Sequence, residues 1–332
     1  MSGLSDGREA LRRADRAGAR DTFLAQPNGR AVARRRGRRR RGPYHARVAD
    51  PALIDLRHLG DERVIGAYLL DTPDGPVLHD CGPATALATL RAGLAEHGLG
   101  VRDVRHLLLS HIHLDHAGAA GHLVREHPGL LVHVSEVGAP HLVDPERLER
   151  SARRLYGDDF DRLWGSLLPV PAENVRVAGA HVLDFDCFPS PGHASHHVCY
   201  LRDGVLYAGD AAGVRIEPSP RVLAPTPPPD IDVEAWDATL DEIERRAPER
   251  LALIHFGVFD DPARHLADLR DALHRAADLV AAGASEDEFV AAQTASLGDE
   301  APRFEHAVPA WQCYRGLVRY VEQRRAAEAG AV

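Results

Sequence analysis

Residues 110–118 read SHIHLDHAG, which places three histidines and an aspartate within six positions directly after an apolar run at 106–109. In extended backbone alternate side chains share a face, so His111 and His113 can address one cation from the end of a strand. Asp115 and His116 then fall where the next helix starts and can turn toward a second cation. Neutral imidazole with a carboxylate suits zinc, and also iron, manganese or cobalt. Four groups cannot complete two coordination shells, so the rest must come from elsewhere. Three later positions share the setting of an apolar strand running into a loop: His193 in SPGH, Asp210 in YAGD and His255 in LIHFG. Strand ends are where layered α/β folds gather their sites.

The elements that must position these groups follow from periodicity and turn residues. Strand-like 64–70 and 77–80 flank a Pro-Asp-Gly turn and read as a hairpin. A helix over 84–99 leads to a strand at 106–110, a helix at 117–127 and a strand at 130–135. Residues 141–168 read as one amphipathic helical insert. Strands are expected at 181–188, 196–201 and 205–210, and a proline-rich extended segment at 222–230. A helix over 233–247, a strand at 251–256 and a helical region from 262 to 325 complete the order, the last with a capping-box pattern at Ser285 and Glu288. Strands alternating with helices predict a layered α/β domain.

Composition narrows the class. The four cysteines, Cys81, Cys187, Cys199 and Cys313, form no CxxC pair and sit in apolar runs, which reads as reduced core thiols in a reducing compartment. The first residues carry no secretory apolar stretch, and no run reaches the roughly 20 apolar residues of a membrane span. A cytoplasmic protein without a membrane partner is therefore expected. Residues 1–45 hold thirteen arginines against Asp6, Glu9, Asp15 and Asp21, a balance of +9 that leaves −18 for the rest of a chain whose total is −9. That arm has no apolar period and is expected to be disordered.

The HxHxDH element, followed in order by the downstream histidine, aspartate and histidine, resembles the metallo-β-lactamase superfamily of binuclear metallohydrolases over about residues 52–270. The resemblance implies an α/β fold of the αββα type, two mixed sheets face to face with helices outside. This chain adds a helical insert and a C-terminal helical extension. The expected domains are the arm at 1–45, a catalytic domain at 46–275 and the extension at 276–332. Residue by residue, the resemblance puts His111, His113 and His193 on a first metal and Asp115, His116 and His255 on a second, with Asp210 bridging. VLHDCGP at 77–83 matches the family's early Asp-x-Gly element, which makes Asp80 a support behind the ligands. An aspartate at 210 departs from the lactam-degrading branch, which uses a cysteine ligand, and SPGHASHHVCYL resembles the glyoxalase II-like and lactonase-like hydrolases more than the nucleases.

The implied cofactors are two divalent ions, zinc first, with iron or manganese as alternatives. Such ions lower the pKa of a shared water toward about 7 and make it the nucleophile. Asp115 is the catalytic candidate, orienting that nucleophile or carrying its proton to the leaving group. The expected reaction is hydrolysis of a carboxylic thioester or ester. A lactonase is the nearest variant, a mononuclear iron sulfur dioxygenase an alternative from another class, and a nucleic-acid phosphodiesterase a third reading that the acidic body disfavours. The expected partner is a small-molecule substrate, with nucleic acid not expected. A homodimer is among the expected states, since Trp311, Tyr314 and Tyr320 read as core or dimer packing. His197, with His196 and His79 as further candidates, could hydrogen-bond a ligand. His133 and His141 read as structural or surface groups, and Tyr156 and Trp164 as packing residues of the insert. The insert, the proline-rich segment and the C-terminal helices are expected to roof the metals. Arg264, Arg270, Arg275, Arg315 and Arg319 read as solvated.

Overall fold

A computed structural model describes residues 51–330, so the basic arm lies outside the described residues. Six strands form the first sheet in chain order: β1 (Ala52–Asp55), β2 (Gly66–Thr72), β3 (Gly75–His79), β4 (His106–Leu108), β5 (Leu131–Val134) and β6 (Val175–Val177). The first three make an antiparallel meander, and β3 to β6 run parallel. Parallel neighbours need crossovers. These are α1 (Leu87–Glu96) before β4, α2 (Leu114–Ala117) and α3 (Ala120–Glu126) before β5, and α4 (Ala139–Val143), α5 (Glu146–Tyr156) and α6 (Phe160–Leu163) before β6.

The second sheet holds β7 (His181–Val182), β8 (Phe185–Pro189), β9 (Val198–Arg202), β10 (Val205–Tyr207), β11 (Arg250–Leu253) and β12 (Gly257–Phe259). Its one parallel pair, β10 with β11, is bridged by α7 (Val233–Arg246). The chain then adds α8 (Pro262–Ala281), α9 (Glu286–Leu297), α10 (Ala301–Glu305) and α11 (Ala310–Gly330). Leu251, Ala252 and Leu253 on β11 are fully buried, the continuous apolar run of a strand covered on both faces.

Two apolar layers make this the expected αββα sandwich. Tyr68, Val77, Leu107, Tyr200 and Ala252 belong to the layer that joins the sheets, while Leu206, Trp236, Leu240, Leu269 and Leu317 belong to the layer between the second sheet and α7, α8 and α11. Two tyrosines tie the sheets with hydrogen bonds as well as area. Tyr68 on β2 donates its hydroxyl to the Leu253 carbonyl at 2.8 Å, with the Gly257 carbonyl at 2.9 Å, and Tyr200 on β9 donates to the Leu109 carbonyl at 3.0 Å. A buried hydroxyl must find a partner. Here the partners are the strand ends that carry the histidines.

Three expectations about elements are corrected. The single helix over 141–168 is instead α4, α5 and α6, because Pro145 cannot continue a helix and Gly157, at φ 56°, reverses the chain. The helix expected over 117–127 is α3, which starts at Ala120, and a separate short helix, α2, begins at Leu114 and carries Asp115 and His116. Strands β1, β6 and β12 were not anticipated, since three or four residues are too few to establish a period. The capping box forms as read: Ser285 Oγ accepts from the Glu288 N–H at 3.3 Å, and Glu288 accepts from the Ser285 N–H at 2.8 Å. Among the described residues no helix is long and apolar enough to cross a membrane.

His133 on β5 gives a pH prediction. Burial, then His106 at 3.0 Å and Arg176, push its pKa down to about 4. Folded His133 is thus neutral where the unfolded chain, near 6.5, already takes a proton. Stability is lost as pH falls from about 6.5 to about 4 and no further below. Urea unfolding of His133→Leu across that window should show a shallower loss than the parent; an identical slope would refute the assignment.

Candidate metal centre

Five strand ends converge on one edge of the sandwich. β3 delivers Asp80 and β4 runs into Ser110, His111 and His113, with Asp115 and His116 following on α2. From the second sheet β8 leads to His193, β10 to Asp210 and β11 to His255. All seven proposed ligands meet there, and His111, His116, His193, Asp210 and His255 are buried.

The side chains form two trios. In one, the Nε2 atoms of His111 and His193 each lie 2.9 Å from His113 Nδ1. In the other, Asp115 Oδ2 lies 3.7 Å from His116 Nε2 and 3.5 Å from His255 Nε2. Asp210 stands between them. Its Oδ1 is 3.2 Å from His116 Nε2 and 3.6 Å from His255 Nε2, while its Oδ2 is 3.3 Å from His193 Nε2. Within each trio the ligand atoms lie inside 4.8 Å of one another, as they do for His111, His116 and Asp210. One carboxylate oxygen turned toward each trio is the arrangement of a bridging ligand.

The opposite ring nitrogens are held so that the inward ones present lone pairs. His116 Nδ1 donates to Asp80 Oδ2 at 2.8 Å, and His193 Nδ1 donates to the Pro225 carbonyl at 2.8 Å. His255 Nδ1 donates to the Val64 carbonyl. Ser110 Oγ donates its one proton to Asp80 Oδ2 at 2.7 Å and so accepts from His111 Nδ1 at 3.0 Å. Asp80 Oδ1 also accepts the Ser110 N–H at 2.8 Å. His197 donates from Nδ1 to Ser190 Oγ at 2.7 Å and accepts the Asp210 N–H at Nε2, 3.2 Å away.

The inward atoms fit cations. His116 Nε2, Asp210 Oδ1 and His255 Nε2 are buried with no hydrogen-bond partner, although buried polar atoms are nearly always satisfied. Three converging imidazoles, and a second set of two imidazoles with a carboxylate, are nitrogen and oxygen donor sets suited to zinc, iron or manganese.

Electrostatics divides the histidines. Burial, then His116 and His113, holds His111 well below the ordinary imidazole value. Burial, then His193 and His196, does the same to His113. For His116 burial also opposes charge, but Asp210, Asp115 and Asp80 outweigh it and raise its pKa well above the ordinary value. Burial would raise Asp210, yet His116, His193 and His255 pull it well below the carboxylate range. Positive charge is therefore favoured around Asp210.

Backbone freedom is needed at two points. Gly209 has φ 48°, and a Cβ there would lie 2.5 Å from Ser110 Cβ and 2.7 Å from His197 Nε2. Gly192, at φ 134°, lets the turn before His193 press on Trp236, where a Cβ would come within 2.3 Å. Trp236 in turn packs edge-on against His193 at 5.7 Å and donates Nε1–H to the Ala211 carbonyl at 2.8 Å.

Above the centre lies a cavity of about 630 Å³, walled by the insert, the proline segment and the residues around α11. Two readings change. Tyr156 and Trp164 pack on each other edge-to-face at 5.2 Å but also form its wall, and Arg319 lines it rather than only facing solvent. Cys81 turns into the core, where its Sγ–H donates to the His116 carbonyl at 3.3 Å and burial pushes its pKa up. His141 is not part of the wall, whereas His58 is. Sequence reasoning gave no role to Ser110, Ser190 or His58. Ser110 is adjacent to the motif, but nothing in its type reveals which acceptor it meets.

An αββα sandwich with His/Asp trios at its edge that could hold metal ions defines the class. The profile of the metallo-beta-lactamase superfamily matches residues 60–255, and the chain belongs to that superfamily. It is 26% identical over 162 residues to a metallo-beta-lactamase fold-containing protein of Sulfurisphaera tokodaii, an alignment over 46% of this chain and 60% of that one. It is 33% identical over 139 residues to a ribonuclease Z of Bradyrhizobium diazoefficiens, covering 39% and 40%. It is 28% identical over 132 residues to a hydroxyacylglutathione hydrolase of Salmonella paratyphi A, covering 39% of each. The chain thus spans 60% or less of the length of these relatives. The crystal structure of an archaeal superfamily protein from Sulfolobus tokodaii superposes with a TM-score of 0.57 at 21% identity, over 77% of this chain and 93% of that one, a likeness of fold.

Asp80→Asn, which weakens the acceptor behind His116, should lower divalent-metal affinity about 10- to 100-fold. Chelator competition measures this, and unchanged affinity in a folded variant would exclude the support role. Gly209→Ala should also weaken metal retention, because the added methyl displaces Ser110 or His197.

Proposed function

We propose that the protein is a binuclear metallohydrolase that cleaves a carboxylic thioester or ester of a small molecule, with a lactone as the nearest variant. The observation that carries this reading is Asp210 set between two trios, with His116 Nε2, Asp210 Oδ1 and His255 Nε2 buried without a hydrogen-bond partner while the outward nitrogens of His116 and His193 are held. When bound, two divalent ions, zinc first, supply a polarised carbonyl and an acidified water.

The chain's own groups perform the rest. His111, His113 and His193 hold one position, Asp115, His116 and His255 the other, and Asp210 sets their separation. Asp115 lines the cavity with Oδ2 3.5 Å from His255 Nε2, and its other carboxylate oxygen can accept a proton from the attacking water. That proton then passes to the departing alcohol or thiol. No serine or cysteine nucleophile is required, and Cys81 points away. In this reading residues 46–275 carry the catalysis and 276–332 shape the cavity.

A second reading, phosphodiester cleavage, is favoured by the likeness to ribonuclease Z. Against it stand the acidic body and the roof over the centre, which suit a small neutral group better than a polyanion.

Elemental analysis should find about two divalent ions per chain, and His116→Ala should lose about one. Chelation should abolish hydrolysis of a thioester and ester panel, with recovery on adding zinc. Fully metallated protein that turns over no thioester, ester or lactone would sink the proposal, and cleavage of RNA alone would establish the second reading. Iron at one per chain with thiol-dependent oxygen uptake would instead indicate the sulfur dioxygenase alternative.

A further inference from the structure

The insert that walls the cavity is fastened at its two ends and not in its middle. In α4, Leu142 is buried and its carbonyl accepts the Val170 N–H at 2.8 Å. In and after α6, Phe160 is fully buried, and the Leu163 and Ser166 carbonyls accept from Thr85 Oγ and His122 Nε2, each at 2.8 Å. Helix α5, between them, has no buried residue. Leu148, Ala152 and Tyr156 recur every fourth position on one face of it. They are half-buried and pack against Leu114, Phe160 and Trp164 in a small apolar cluster.

The polar ties of α5 follow the same division. Arg150 pairs with Glu146 at 3.0 Å, and Arg153 pairs with Glu149 and Asp161, each at 2.8 Å, all inside the insert. Among the described residues α5 makes one hydrogen bond to an element beyond the insert, from the Tyr156 hydroxyl to Gln312 Oε1 on α11 at 3.5 Å. That is long for an O–H···O bond, whose usual length is about 2.7–2.8 Å. Both residues line the cavity, so this single loose bond joins its two walls.

Both ends of α5 are places where the chain can turn. Pro145 precedes it and has no N–H to carry on the hydrogen bonds of α4, and Gly157 follows it at φ 56°, a positive value that glycine adopts without a steric cost. A helix between two such breaks, held by half-buried contacts and one long bond, belongs to the part of a fold that opens most readily. Its apolar face rests on Leu114, which stands between the candidate ligands His113 and Asp115. The space that α5 covers therefore adjoins the centre.

We propose that α5 is a lid that swings about Pro145 and Gly157 to open the cavity, and that Tyr156 latches it to Gln312 of α11. The inference concerns access to the cavity and does not depend on which bond the centre cleaves.

Amide hydrogen exchange of the full chain tests the motion, with α7, which buries Trp236, Leu240 and Ile243, as internal standard. After correction for intrinsic rates the α5 amides should exchange at least about 100-fold faster than those of α7. Tyr156→Phe keeps the ring and removes the hydroxyl, and it should speed α5 by about three- to tenfold more, the worth of one hydrogen bond, with α7 unchanged. Gln312→Ala should do the same. Amides in α5 as slow as those of α7 would overturn the lid, and α5 exchange unaltered by both substitutions would overturn the latch.

Access is read on zinc-loaded protein mixed with excess 4-(2-pyridylazo)resorcinol. Zinc release from Tyr156→Phe should quicken by the same factor as its α5 exchange. Unchanged release beside faster exchange would mean that α5 opens without gating the cavity, which also overturns the proposal. If the parent retains no zinc, the metal reading fails by itself, and access is read by acrylamide quenching of tryptophan fluorescence, since Trp164 and Trp311 line the cavity. Stronger quenching in Tyr156→Phe supports the lid, and equal quenching overturns it.

Discussion

The structure depends on keeping one buried carboxylate, Asp210, between histidines that come from both sheets. Burial alone would force Asp210 to take a proton, and it stays ionised because His116, His193 and His255 crowd its two oxygens. Those histidines start from three different elements, so the site exists only while the strand ends keep register across the sandwich. Tyr68 and Tyr200 are placed to enforce this. Each crosses from one sheet to a carbonyl at the end of a strand in the other, Leu253 beside His255 and Leu109 beside His111. Packing area favours the sandwich, but these directional bonds specify how one sheet sits on the other.

A second layer of constraint concerns protons rather than positions. A neutral imidazole can present its lone pair from either nitrogen, and only a committed acceptor on the far side decides which. His116 has Asp80, His193 has the Pro225 carbonyl, His255 has the Val64 carbonyl and His111 has Ser110. Asp80 and Ser110 serve two ends of this network at once, since the hydroxyl that faces His111 spends its proton on the carboxylate that faces His116. This explains why two acceptors of different chemistry lie side by side there.

This layering accounts for what could be read in the chain before its structure. The candidate ligands were legible because four of them fall within six residues and the other three end apolar strands, so local spacing and strand periodicity bring them forward. The alternation of strands and helices was legible for the same reason, whereas the αββα order followed from the family resemblance. Carbonyl acceptors were not, because Pro225 and Val64 act through backbone atoms that every residue owns. The insert was misread as one helix because its amphipathic pattern outlasts the breaks at Pro145 and Gly157, and His58 was passed over because a lone histidine in a short irregular turn carries no period. Long-range partners chosen by tertiary contact leave no local trace.

The same division separates chemistry from selectivity. Most of what holds the centre comes from strand ends and their immediate loops, with the Pro225 carbonyl of the proline run added behind His193. Much of the cavity wall, by contrast, is drawn from segments that the sandwich does not require: the broken helices of the insert, the start of α11 and the strained turn at His58. Such segments can change length and side chains without disturbing Asp210, so the wall is free to be fitted to one substrate while the centre stays fixed. The candidate ligands serve whatever reaction the centre runs, whereas wall residues such as Tyr156, Trp164 and Arg319 bear on the shape of the space above it.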